Sequence, residues 1–115
     1  MWLSVISALK GLINLNHYFN NMSNLKVIAV DIDGVLCKGE CWTPEQCLKA
    51  KPILKNIEKV NELGKFNFIV IYTARRDFLV EASLKWLKIN GVEFQAISNK
   101  KMSADSYIDD KILKL

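Results

Sequence analysis

"VIAVDIDGVLC", Val27 to Cys37, decides how the rest of the chain is read. Its opening residues are apolar and mostly β-branched, and a short run of that kind reads as a buried strand over Lys26–Asp31. Two carboxylates, Asp31 and Asp33, then follow with one residue between them. A buried strand that ends on two negative charges needs something at its tip to stabilise them. Gly34 comes next, where the chain can turn sharply and bring backbone N–H groups close to an anion.

Outward from this stretch the sequence alternates strand and helix. "KPILKNIEKVNELG" (51–64) reads as a helix: Pro52 suits its first turn, Ile53, Ile57, Val60 and Leu63 form one stripe, and Gly64 can end it in a left-handed cap. "FNFIVIY" (Phe66–Tyr72) is a second buried strand. "DFLVEASLKWLKING" (77–91) is a second helix, with Asp77 as N-cap, Trp86 and Leu87 facing inward and Gly91 as the stop. "VEFQAI" (92–97) and "DSYID" (Asp105–Asp109) complete the set as short strands. The order predicts an α/β, Rossmann-like three-layer sandwich with a mainly parallel sheet of about four strands and right-handed crossovers.

Open α/β sheets bind ligands at the carboxyl ends of their strands. Asp31 ends the first strand, Thr73 follows the second, Asp109 and Asp110 end the last, and Lys100 and Lys101 lie in the loop before it. All fall at one edge. Carboxylates crowded there would repel one another and push their pKa values up, and a divalent cation removes that conflict. Hard oxygen ligands favour magnesium over zinc. Beside such an ion Asp31 can stay ionised and attack phosphorus, while a lysine and the Thr73 hydroxyl hold the other phosphoryl oxygens. Asp33 can protonate the leaving oxygen and then activate water.

"DIDGV", "YTAR", a lysine and "YIDD", in that order, resemble the four motifs of the haloacid dehalogenase superfamily of phosphatases, over Lys26 to Leu115. "KAKPILKNIEKVNEL…FIVIYTAR…WL…GVEF…ADSYIDDK" is similar to its small capsule-biosynthesis-type phosphatases. The resemblance implies Asp31 as nucleophile and Asp33 as acid/base residue and magnesium ligand. It implies Thr73 and Lys101 on the phosphate, and Asp109 or Asp110 completing the metal site. "NKKMSAD" replaces the Gly-Lys-Pro of related sequences, so Lys101 aligns best while Lys100 stands where the glycine would. Gly34, Ala74 and Arg75 are candidate substrate contacts; a similar arginine occurs in polynucleotide-end phosphatases of the superfamily. Arg76 reads as a surface charge. Leu36–Lys51 and Ala74–Asn90 are too short for a cap domain, so the site should be open, or covered by a partner subunit in a homo-oligomer. The Cys37–Cys47 segment, with Trp42, would lie near the entrance, where Trp42 reads either as a contact to the leaving group or, as the favoured alternative, as core or flap packing.

The resemblance implies a phosphorylated small-molecule substrate, a sugar phosphate first and a nucleotide or polynucleotide end second. The chain has 115 residues, enough for one domain, with half of them hydrophobic and a formal charge of +4. The lysines are scattered rather than clustered, which argues against a nucleic-acid surface. Cys37, Cys41 and Cys47 do not match a zinc-site spacing, and their odd number suggests reduced thiols and a cytoplasmic setting. Residues 1–24 form an N-terminal extension ahead of a 25–115 core. Trp2, Ile6, Leu9 and Ile13 give it the spacing of an amphipathic helix, too short for a membrane span, and Met22 is an alternative natural start. Two readings of another class compete: a phospho-receiver signalling domain and a catalytically idle interaction module. A receiver would carry its acidic pair first and its acceptor aspartate on a middle strand, whereas here the second acidic pair comes last, after the lysine.

Overall fold

The computed structural model describes residues 25–100 and 102–109. The extension over 1–24, Lys101 and Asp110 lie outside the described residues. Four strands, β1 (Val27–Val30), β2 (Phe68–Tyr72), β3 (Ala96–Ser98) and β4 (Ser106–Ile108), form one sheet in the order β3-β2-β1-β4. Every pairing is parallel, with Val30 opposite both Ile71 and Ile108. The fold is an α/β Rossmann-like sandwich, as the alternation of elements predicts. The chain builds from β1 outward through β2 to β3, then returns to add β4 on the other side of β1. That reversal places a topological switch point between the carboxyl ends of β1 and β4.

Alternation along the central strands assigns the core. Ile28, Val30 and Ile32 of the first strand region pack in one cluster with Ile69 and Ile71 of β2 and with the inner faces of two helices. These are α2 (Leu54–Leu63), which contributes Ile57 and Val60, and α3 (Val80–Ile89), which contributes Trp86 and Leu87. Both helices thus pack against one face of the sheet. Asn61 of α2 binds the loop beyond α3, donating to the Gly91 carbonyl and accepting from Glu93 N–H.

Several local details differ from the sequence reading. A short helix, α1 (Pro44–Lys49), which the sequence reading did not include, occupies part of the segment too short for a cap domain. Thr43 caps it by accepting from Gln46 N–H, and Pro44 stands at its first position. Pro52 precedes α2 and forms an antiparallel bridge with Cys37. Gly64 is right-handed (φ −66°), so it is no left-handed cap. The reason for a glycine there is space: a Cβ would come within 3.3 Å of the Ile69 side chain. Asp77 caps no helix; it opens a 3₁₀ turn, Asp77–Leu79, that leads into α3. Gly91 does stop α3 as expected, at φ +72°. Its N–H binds the Lys88 carbonyl and Val92 N–H binds that of Leu87, the paired bonds of a Schellman motif. β3 is shorter than the expected 92–97. Before it, Gln95 uses its side chain as a strand would its backbone, accepting from Ile69 N–H.

Cys41 and Cys47 form a disulfide, with Cα atoms 5.3 Å apart, and Cys37 is a free, buried thiol. This corrects the expectation of three reduced thiols, and the cysteine count no longer argues for a reducing compartment. Among the described residues no helix is long and apolar enough to cross a membrane.

Candidate functional site

Asp31 leaves β1 in register with β4: its N–H donates to the Ile108 carbonyl at 3.0 Å, so Asp31 and Asp109 end neighbouring strands side by side. One Asp31 oxygen accepts from Ile32 N–H at 2.7 Å, which fixes the carboxylate against its own backbone. The chain then turns tightly. The Ile32 carbonyl accepts from the N–H groups of Val35, Leu36 and Cys37, and Gly34 takes φ +81°, where a side chain would be strained. Asn56 of α2 holds this turn from behind by donating to the Val35 carbonyl.

Two cavities meet at Asp31. The first, about 530 Å³, is lined by Asp31 and Asp33 together with Glu40, Trp42, Ala74, Arg76 and Phe78. The second, about 350 Å³, lies over the β1–β4 junction and is lined by Asp31, Asp109, Tyr72, Tyr107 and Met102. Asp31 is the carboxylate common to both, at the switch point where α/β sheets take ligands.

Asp33 is held by Arg75. The guanidinium donates from Nη2 to one Asp33 oxygen at 2.7 Å and from Nε to the other at 3.1 Å. Its Nη1 donates to Ser83 Oγ, and that hydroxyl donates to the Leu79 carbonyl. The Arg75 side chain is 2% exposed and that of Asp33 20%. Arg75 was expected as a substrate contact. It lines the first cavity, where its guanidinium is bonded to Asp33 and Ser83. Cys37 lies against the same pair, 3.5 Å from Asp33 and 3.6 Å from Arg75. Burial, with the Asp33 charge beside it, pushes this thiol up to about 11, so it stays protonated at neutral pH.

Thr73 is buried and does not line either cavity; its N–H donates to Ser98 and its hydroxyl accepts from Arg75 N–H. That bond leaves the hydroxyl's own proton as a donor. Ala74 is exposed and lines the first cavity, whereas Gly34, although exposed, lines neither. Lys100 is exposed too, but borders a separate cavity with Asp77, Ser98 and Asn99. Lys101 and Asp110, the other expected site residues, lie outside the described residues. Trp42, expected to pack, is 71% exposed at the cavity mouth, and Arg76 joins it there.

Among the described residues no group of three or more His, Cys, Asp or Glu side chains is arranged to hold a metal ion. The donors at the β1–β4 junction nevertheless suit magnesium. Asp31 and Asp109 offer hard carboxylate oxygens on one cavity that no cysteine or histidine lines. Magnesium is commonly bound through one or two carboxylates, with water and substrate phosphate completing its shell.

Three contributors escaped the sequence reading. Ser83 anchors Arg75 from within the apolar face of α3, and a lone serine beside Trp86 and Leu87 was the available signal. Asn99 ties the end of β3 to the loop after β2 by donating to the Arg75 carbonyl and the Asp77 carboxylate. Phe78, on the 3₁₀ turn, forms part of the cavity wall.

Neither a protein-family model nor a curated protein matches the chain. Among solved structures it is similar to a conserved protein coded by a locus of Bacteroides thetaiotaomicron, with TM-score 0.61 and 23% identity over 76% of this chain and 78% of that one. At that identity the likeness shows a shared fold.

Proposed function

We propose that the chain is a magnesium-dependent phosphomonoester hydrolase that works through an aspartyl phosphate on Asp31, of the haloacid dehalogenase type its motifs resemble. The observation that carries this reading is the position of Asp31. It ends the strand at the switch point, adjoins Asp109 across one cavity and meets Asp33 across another.

In this reading Asp31 and Asp109, with Asp110 beyond them, would hold the cation, whose charge offsets that of the phosphoryl oxygens. An Asp31 oxygen attacks phosphorus as the ester P–O bond breaks. The departing oxygen takes a proton from Asp33. Asp33 then accepts a proton from water, the water oxygen attacks phosphorus, and the P–O bond to Asp31 breaks to release phosphate. Arg75 serves as a positioning residue that aims the Asp33 carboxylate, since it grips both oxygens from one side. The Thr73 hydroxyl and Lys101 are the proposed phosphate partners.

Strand order supports this reading over a phospho-receiver. A flavodoxin-like receiver runs 2-1-3-4-5, with its third strand beside its first. Here β2 separates β3 from β1. The test is phosphate release from a panel of phosphomonoesters with and without magnesium, on the natural chain and on Asp31→Asn. Turnover should need magnesium and should vanish in the variant without a change in melting temperature. An Asp31→Asn protein that hydrolyses at the natural rate refutes the assignment.

A further inference from the structure

The first cavity has a wall for which the phosphoryl chemistry has no use. Trp42 and Phe78 both line it while remaining 71% and 62% exposed. They come from different elements, Trp42 from the residue before the α1 cap and Phe78 from the 3₁₀ turn ahead of α3. Neither is exposed because its backbone is loose. The Trp42 N–H donates to Gln46 Oε1 at 2.8 Å, and the neighbouring Cys41 is bonded to Cys47. Phe78 lies between Asp77, which accepts from Asn99, and Leu79, which is buried. Two anchored loops therefore present large aromatic faces to water at the mouth of a cavity whose floor carries Asp31 and Asp33.

We infer that this wall is the leaving-group subsite and that it takes a planar heteroaromatic ring, which makes the substrate a nucleoside monophosphate. The inference rests on the hydrolase reading above and adds the substrate class to it. Aromatic side chains stack on the π-face of any nucleobase, and the cavity volume of about 530 Å³ is of the size that holds a small organic ligand. Polar groups decide between a base and a sugar ring. Apart from Asp31, Asp33 and the buried Arg75, the charged side chains lining the cavity among the described residues are Glu40 and Arg76. A hexose turns several hydroxyls toward its site and would leave most of them unmet. A base needs few in-plane partners, and Glu40 is an acceptor for a ring N–H or amino group. Arg76 is a cation suited to stacking or to phosphate. The open mouth agrees with this division: Leu36–Lys51 folds as a loop and α1 rather than a cap, so among the described residues these loops are placed to contact the leaving group.

The experiment compares kcat/KM for nucleoside monophosphates, a hexose phosphate and glycerol phosphate on the full chain and on Trp42→Ala, Phe78→Ala and Trp42→Tyr. Removing one stacking ring should lower the ratio of nucleotide to glycerol phosphate by roughly 5- to 150-fold, chiefly through KM, and tyrosine should restore most of it. A second readout needs no turnover: adenosine and guanosine monophosphates should bind Asp31→Asn and lose affinity when Trp42→Ala is added. An unchanged ratio together with unchanged nucleotide affinity overturns the inference. A loss confined to the hexose phosphate, or aromatic variants that change only the molecular mass in light scattering, overturns it as well. Nucleotide binding through Trp42 in a protein that hydrolyses none of the esters would instead sink the hydrolase reading and leave the ring subsite standing.

Discussion

Replacing Arg75 by methionine tests how far the fold and the site depend on one buried ion pair. The substitution keeps most of the apolar stem and removes the guanidinium. Asp33 then loses the donors at 2.7 and 3.1 Å that meet its two oxygens, and Ser83 loses the group that donates to its hydroxyl. Breaking a buried pair by deleting one partner costs about 3–5 kcal/mol, because the other charge stays behind without compensation. Asp33 keeps 20% of its side-chain exposure, which places the expected cost near the lower bound, about 3 kcal/mol. Asp33→Leu alone strands the more deeply buried guanidinium at a cost of at least about 3 kcal/mol, while the double variant strands neither charge and should lose only about 1 kcal/mol, so the cycle should give a coupling energy of about 5 kcal/mol. Urea unfolding of the natural chain, both single variants and the double variant supplies the four free energies, provided the denaturant slope is shared. An Arg75→Met cost below about 1 kcal/mol, or effects that simply add, would refute the claim that this pair organises the loop under the site.

Other consequences are independent of that pair. Reducing the Cys41–Cys47 bond, or replacing both residues by alanine, should lower stability by about 2 kcal/mol through the freed short loop, measured by denaturant unfolding with and without reductant. Cys37 should resist alkylation in the native protein at neutral pH and react once it is unfolded, as followed by intact mass. Its thiol is raised from 9.0 to about 11 in the fold, so the native state holds that proton more tightly and stability should fall as pH rises through this window. Cys37→Ala should lack this part of the alkaline loss, as seen by thermal melts across the same pH range. Gly91→Ala forces a side chain into φ +72° and should cost about 1–2 kcal/mol in urea unfolding, although nothing lies within 4 Å to obstruct its Cβ.

How much of this was legible in the sequence depends on the range over which each feature is encoded. The runs around Ile28 and Ile69 are continuous and β-branched, so β1 and β2 could be read locally, and two acids at the tip of the first marked the switch point. α1 was missed although Thr43, Pro44 and Gln46 spell a helix start, because only six residues follow and they carry no apolar stripe. Gly64 was read as a conformational need when its reason is the approach of Ile69, a contact that no local pattern records. Asp33 and Arg75 lie 42 positions apart, and nothing in either neighbourhood announces that the arginine turns inward. The lone Ser83 on an apolar helix face was the trace left in the sequence. The Cys41–Cys47 pair was obscured by the odd cysteine, Cys37, whose role is packing beside the ion pair.

The central claim is that Asp31 carries the phosphoryl group during turnover. Borohydride reduces an acyl phosphate to an alcohol, so protein quenched with it during hydrolysis should show homoserine at position 31, by peptide mass spectrometry, and only when substrate and magnesium are both supplied. Steady hydrolysis with position 31 still aspartate, or homoserine at Asp33 or Asp109 instead, would contradict the account.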